Sequence, residues 1–118
     1  MRLAALLIAA TACSGTARNL ETYRADTQQA LATRDPQLKS CYDDALKSDR
    51  TMTGKVTVQF VVAKDTGAFT NASVDPGTTT APNPLWQCVL RVVDGLKLQP
   101  GDKHEGRATF VYEFKPQG

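Results

Sequence analysis

The stretch Gly54-Lys55-Val56-Thr57-Val58-Gln59-Phe60-Val61-Val62 decides the fold. Val56, Val58, Phe60 and Val62 alternate with Lys55, Thr57, Gln59 and Val61, a period of two that gives a strand one core-facing side. β-branched and aromatic residues suit that half-buried surface. Beyond it, Lys64-Asp65-Thr66-Gly67 is turn chemistry with the glycine late in the turn, and Ala68 to Val74 returns as the second strand of a hairpin. Close to the C-terminus, Arg107 to Phe114 alternates Ala108, Phe110, Tyr112 and Phe114 against Arg107, Thr109, Val111 and Glu113, which predicts a third strand.

Helical spacing fills the rest. Leu20, Tyr23, Thr27, Ala30 and Leu31 predict a weakly amphipathic helix. Asp35-Pro36 then offers a capping carboxylate and a proline at the first helical position. Leu38, Cys41, Tyr42, Ala45 and Leu46 form the apolar stripe of a second helix, or of a kinked continuation, to about Ser48. Asp75 to Asn83, rich in threonine, glycine and proline, is a loop. Asn83-Pro84 repeats the cap-then-proline device, and Leu85, Cys88, Val89, Val92 and Leu96 trace another helical face that stops near Gly95. The order α-β-β-α-β calls for an α+β domain, one three-stranded, antiparallel-rich sheet covered on one face by two helices. A right-handed crossover places the first strand in the centre, between the other two.

The N-terminus reads as an export signal. Met1-Arg2, the apolar run Leu3 to Ala12 and the small residues Ala10-Thr11-Ala12 lead directly to Cys13. About ten apolar residues suit a signal-peptide core, whereas a membrane span needs about 20. Small residues ending in a cysteine resemble the bacterial lipoprotein signal, and that resemblance implies residues 1–12 as the signal peptide, Cys13 as the lipidated residue, 13–19 as lipidated cysteine and tether, and 20–118 as the domain. An ordinary secretory signal cleaved after Ala12 is the other reading. Three cysteines less Cys13 leave Cys41 and Cys88, an even pair in an oxidising compartment, which points to a disulfide against the alternative of two buried thiols.

Fourteen basic residues oppose twelve acidic ones with both signs interspersed. No basic stripe marks a nucleic-acid binder, and no phosphate loop or metal-ligand spacing occurs. The single histidine, His104, lies in Gly101-Asp102-Lys103-His104-Glu105-Gly106, where the expectation is a solvated loop rather than a metal or acid-base site. Asp43-Asp44 diverge around their helix and do not pair. Trp86 falls beside its helix's apolar stripe, where two roles fit: cover for the core's rim, or an anchor for a partner.

Taken in order, Lys39-Ser40-Cys41-Tyr42-Asp43-Asp44-Ala45-Leu46, Thr53-Gly54-Lys55-Val56-Thr57-Val58-Gln59-Phe60, Gly67, Trp86-Gln87-Cys88-Val89 and Val111-Tyr112-Glu113-Phe114 resemble the AgmX/PglI C-terminal domain, a TonB C-terminal-like module of bacterial envelope proteins. The resemblance spans about Leu20 to Pro116. It implies the same α-β-β-α-β domain with its two helical cysteines paired. This chain departs from the pattern at Leu96-Lys97-Leu98-Gln99-Pro100, where the family has a Trp/Phe-rich segment. It also shows neither the membrane-spanning N-terminus nor the Pro/Lys-rich spacer of TonB energy transducers, so independent use of the proton gradient is not expected.

The functional expectation is a non-enzymatic cell-envelope lipoprotein, on the outer membrane facing the periplasm or secreted into it. It would bind a partner protein by strand addition at the third strand through Arg107, Thr109, Val111 and Glu113, with Trp86 as a further contact. The alternative is a self-associating component of an envelope, gliding or secretion complex. No cofactor, metal, nucleic acid or small-molecule substrate is expected.

Overall fold

The computed structural model describes residues 16–116, so Cys13 and the expected signal peptide lie outside the described residues. Three helices and three strands follow in the order α1 (Leu20–Ala32), α2 (Asp35–Ser48), β1 (Gly54–Val62), β2 (Phe69–Val74), α3 (Asn83–Val93) and β3 (Gly106–Phe114). The sheet is wholly antiparallel in the order β2-β1-β3, with the first strand central.

The alternation in β1 does what its period demands. Val56, Val58, Phe60 and Val62 are buried beneath the helices with Leu38, Cys41 and Tyr42 of α2 and Leu85, Val89 and Val93 of α3. Each such apolar side chain stabilises the fold by roughly 1.5–3 kcal/mol when fully buried. Phe60 stacks on Phe69 of β2 with ring centroids 4.6 Å apart. Thr57, on the other face, is also buried, its amide and hydroxyl bonded to the Thr78–Thr79 segment that crosses there. The hairpin turn puts Asp65 and Gly67 in the left-handed region at φ 68° and 74°. Gly67 is doubly required, because a Cβ there would stand 2.0 Å from the carbonyl oxygen of Leu98.

Cys41 and Cys88 are joined as a disulfide, S–S 2.07 Å and Cα–Cα 5.8 Å, tying α2 to α3. Cys41 is buried and Cys88 half-buried.

α1 and α2 are separate helices, broken at Thr33-Arg34, which is the first of the two readings given for that stretch. Other local expectations are corrected. Asp35 does not cap α2: the amide of Arg34 bonds to Leu31 and its carbonyl to Leu38, so the chain turns straight into helix without an extended cap residue. Asn83 likewise yields its place to Pro82, whose carbonyl receives the amides of Leu85 and Trp86. Leu96 is not on the α3 stripe. The helix ends at Val93, and Leu96 and Leu98 run as a buried strap along β2, their backbones bonded to Phe69 and Gly67. Leu20, expected on the inner stripe of α1, is 75% exposed.

Candidate functional site

The two edges of the sheet are treated differently. On the β2 side, the amide of Phe69 donates to Leu96 at 2.9 Å and Gly67 accepts from Leu98 at 2.8 Å, so the strap covers the strand's start. Between Gln59/Ser73 and Val61/Thr70 the register slips by one residue, with Asn71 at φ 56°. Such a bulge twists an edge away from further pairing. β3 has neither device: its nine residues pair with β1 in unbroken register from Gly54/Phe114 to Val62/Gly106.

Backbone direction along β3 follows from the alternation of antiparallel pairs. Lys55 and Thr57 bond towards the β2 side: Lys55 exchanges bonds with Thr80 at 2.8 and 2.9 Å, and Thr57 accepts from Asp75 at 3.0 Å. Val56, Val58, Phe60 and Val62 therefore carry the ladder to Tyr112, Phe110, Ala108 and Gly106. The N–H and C=O groups of Arg107, Thr109, Val111 and Glu113 are left pointing out of the sheet. Among the described residues, none of these four amides donates to another element.

All four side chains lie on the solvent face, with Val111 58% exposed. On the helix face, Ala108, Phe110, Tyr112 and Phe114 are only half-buried, although Tyr42 of α2 packs on the Phe114 end of the strand with ring centroids 5.4 Å apart. The roof above the start of β3 is α1. Its Tyr23 ring lies on Gly106, where a Cβ would be 2.6 Å from the ring, and its hydroxyl donates to the His104 carbonyl at 2.9 Å. Burial and, after it, the Asp102 charge push the Tyr23 phenol up. Between α1 and β3 a groove of about 860 Å³ opens along Leu20, Tyr23, Arg24, Ala108, Phe110 and Val111. Leu20 and Val111, the two large apolar side chains most open to water among the described residues, both line it.

The wall of this groove is held by a clasp absent from the sequence reading. Asp102 is not part of a solvated loop: it is 0% exposed and accepts the amides of Arg18 at 2.8 Å and His104 at 2.9 Å. The Arg18 guanidinium bridges Asp102 at 3.3 Å, Asp26 of α1 at 2.7 Å and the Pro100 carbonyl at 2.7 Å. Burial acts to raise the Asp102 carboxyl, but these two amides and the guanidinium outweigh it and hold it below the usual carboxylate range. Thr16 to Asn19, read as the end of a tether, thus pack on the fold, with the Thr16 carbonyl bonded to Lys103. His104 and Glu105 stay exposed.

Trp86 is half-buried against the core on α3. That helix packs mainly on α2, β2 and β1, and among the described residues no hydrogen bond or ring stacking joins Trp86 to β3. Tyr112 points inward from β3, and its buried hydroxyl has no partner among the described residues. No protein-family model, curated protein or solved structure matches this chain.

Proposed function

We propose that this chain is a non-enzymatic cell-envelope lipoprotein whose domain captures an extended segment of another polypeptide by strand addition at β3. The observation that carries this reading is the contrast between the sheet's edges. β2 is bulged and strapped, whereas β3 offers outward backbone groups at Arg107, Thr109, Val111 and Glu113 beside a groove roofed by α1. Backbone pairing supplies affinity in such complexes, and the pockets that receive alternate side chains supply specificity. The apolar run ending at Cys13 supports export and lipid attachment, and the ordered resemblance to AgmX/PglI and TonB-like modules supports an envelope role.

The test is photo-crosslinking in intact cells from a reactive residue at Thr109 and, separately, at Gln87 on α3. The reading expects adducts from Thr109 that Val111→Pro abolishes while helix content is unchanged. Equal adducts with and without the proline would refute it. Self-association is the second reading, favoured by the charge pattern of the same strand.

A further inference from the structure

The four outward residues of β3 carry opposite charges at their ends, Arg107 and Glu113, with Thr109 and Val111 between them. Neither charge is firmly held within the chain: Arg107 is 82% exposed and reaches Glu105 only at 3.9 Å, and Glu113 forms no ion pair among the described residues. A strand so marked can pair with itself. In a two-fold contact each residue meets the one equally far beyond the axis, so position of the axis determines every pairing.

An axis at Thr109 sets Glu113 against Glu105 of the second copy, and one at Val111 sets Arg107 against Lys115. Both place like charges opposite, which destabilises a sheet. An axis at Ala108 or Tyr112 leaves Arg107 and Glu113 without each other. An axis at Phe110, the middle of the strand Gly106–Phe114, matches the full nine residues. It sets Arg107 against Glu113 twice and Thr109 against Val111 twice, all through the outward backbone groups.

The other face agrees. With the axis at Phe110, that ring meets its own copy, Ala108 meets Tyr112, and Gly106 meets Phe114, so that small residues face large ones. The half-buried apolar row is thereby covered. The two rings opposite Gly106 and Ala108 fall at the groove beneath α1, which those small residues help to line.

We infer that β3 closes on a second copy of this chain, antiparallel about Phe110, to make a continuous six-stranded sheet. The inference rests on the open edge proposed above and names its occupant when no heterologous strand is present. A partner strand and a second copy then compete for the same backbone groups.

The test uses the full chain, processed and purified from its host in mild detergent, with two different affinity tags on co-expressed copies. Wild-type copies co-purify. Arg107→Glu paired with itself, and Glu113→Arg paired with itself, each weaken self-association by about tenfold, since two attractive pairs become repulsive. Arg107→Glu paired with Glu113→Arg restores it, because both cross-pairs are again opposite in charge. Restoration in that mixture alone establishes the register. Single reversals without effect, or a mixture that stays apart, overturn the inference. Self-association that Thr109→Pro abolishes but charge reversal does not touch leaves the open edge standing and removes this register. Wild-type copies that never co-purify, while Thr109 crosslinks to a different protein, remove the second copy as occupant and leave the proposed function intact.

Discussion

Arg18 and Asp102 stand 84 residues apart in sequence and meet at 3.3 Å, the acid fully enclosed and the guanidinium nearly so. Through Asp26 the same guanidinium reaches α1, so the helix that walls the β3 groove is positioned by one buried charge. Removing Arg18 leaves the Asp102 carboxylate enclosed without its countercharge, and Arg18→Met is expected to cost about 3 kcal/mol in urea unfolding.

The same pair gives a pH dependence. Asp102 is held below its ordinary value of 3.8 in the folded chain, so its contribution to stability is fully present above that value and is lost as pH falls through the folded one. Unfolding curves followed from neutral to acid pH should show stability falling below about pH 4, with a shallower fall in Asp102→Asn. An equally steep fall in that variant would place the acid sensitivity elsewhere.

The disulfide closes a separation of 47 residues and joins the two helices of the main roof. Loop closure of that size corresponds to about 4 kcal/mol. Cys41→Ser and Cys88→Ser should each lower stability by roughly 2–5 kcal/mol, and the double variant by little more than either. Additive losses in the double variant would mean that the sulfurs act separately.

Tyr112 presents the opposite case, a buried hydroxyl with no partner among the described residues. Burial, and secondarily the charge of Asp35, push its ionisation up to about 12. Tyr112→Phe should raise stability by about 1 kcal/mol, since an unsatisfied buried group is removed. It should also flatten the loss of stability expected as pH rises above 10.0, where the unfolded phenol ionises first. A destabilised Tyr112→Phe variant would show that the hydroxyl is bonded.

Much of this architecture is legible in the chain because the contrast between faces is sharp where the core is made. Val56, Val58, Phe60 and Val62 could lie on only one side of a sheet, and an even cysteine pair on two apolar stripes located the bond between helices. The clasp was not legible. Arg18 and Asp102 lie in short polar stretches without periodicity, and a single ion pair across 84 residues leaves no local pattern. Leu96-Lys97-Leu98 misled for a related reason: three residues fit the end of a helix and the start of a strap equally, and Gly95 at φ 87° decides between them. The outward residues of β3 were readable as an alternation. That β2 is protected and β3 is not depended on the strap and on the bulge at Asn71, neither of which has a sequence signature of its own.

Hydrogen exchange along β3 tests the open edge most directly. In the dilute protein without a partner, the amides of Ala108, Phe110 and Tyr112 should be protected by β1, while those of Thr109, Val111 and Glu113 exchange rapidly, and the second set should gain protection as concentration rises. Uniform protection of both sets in dilute solution would contradict the account.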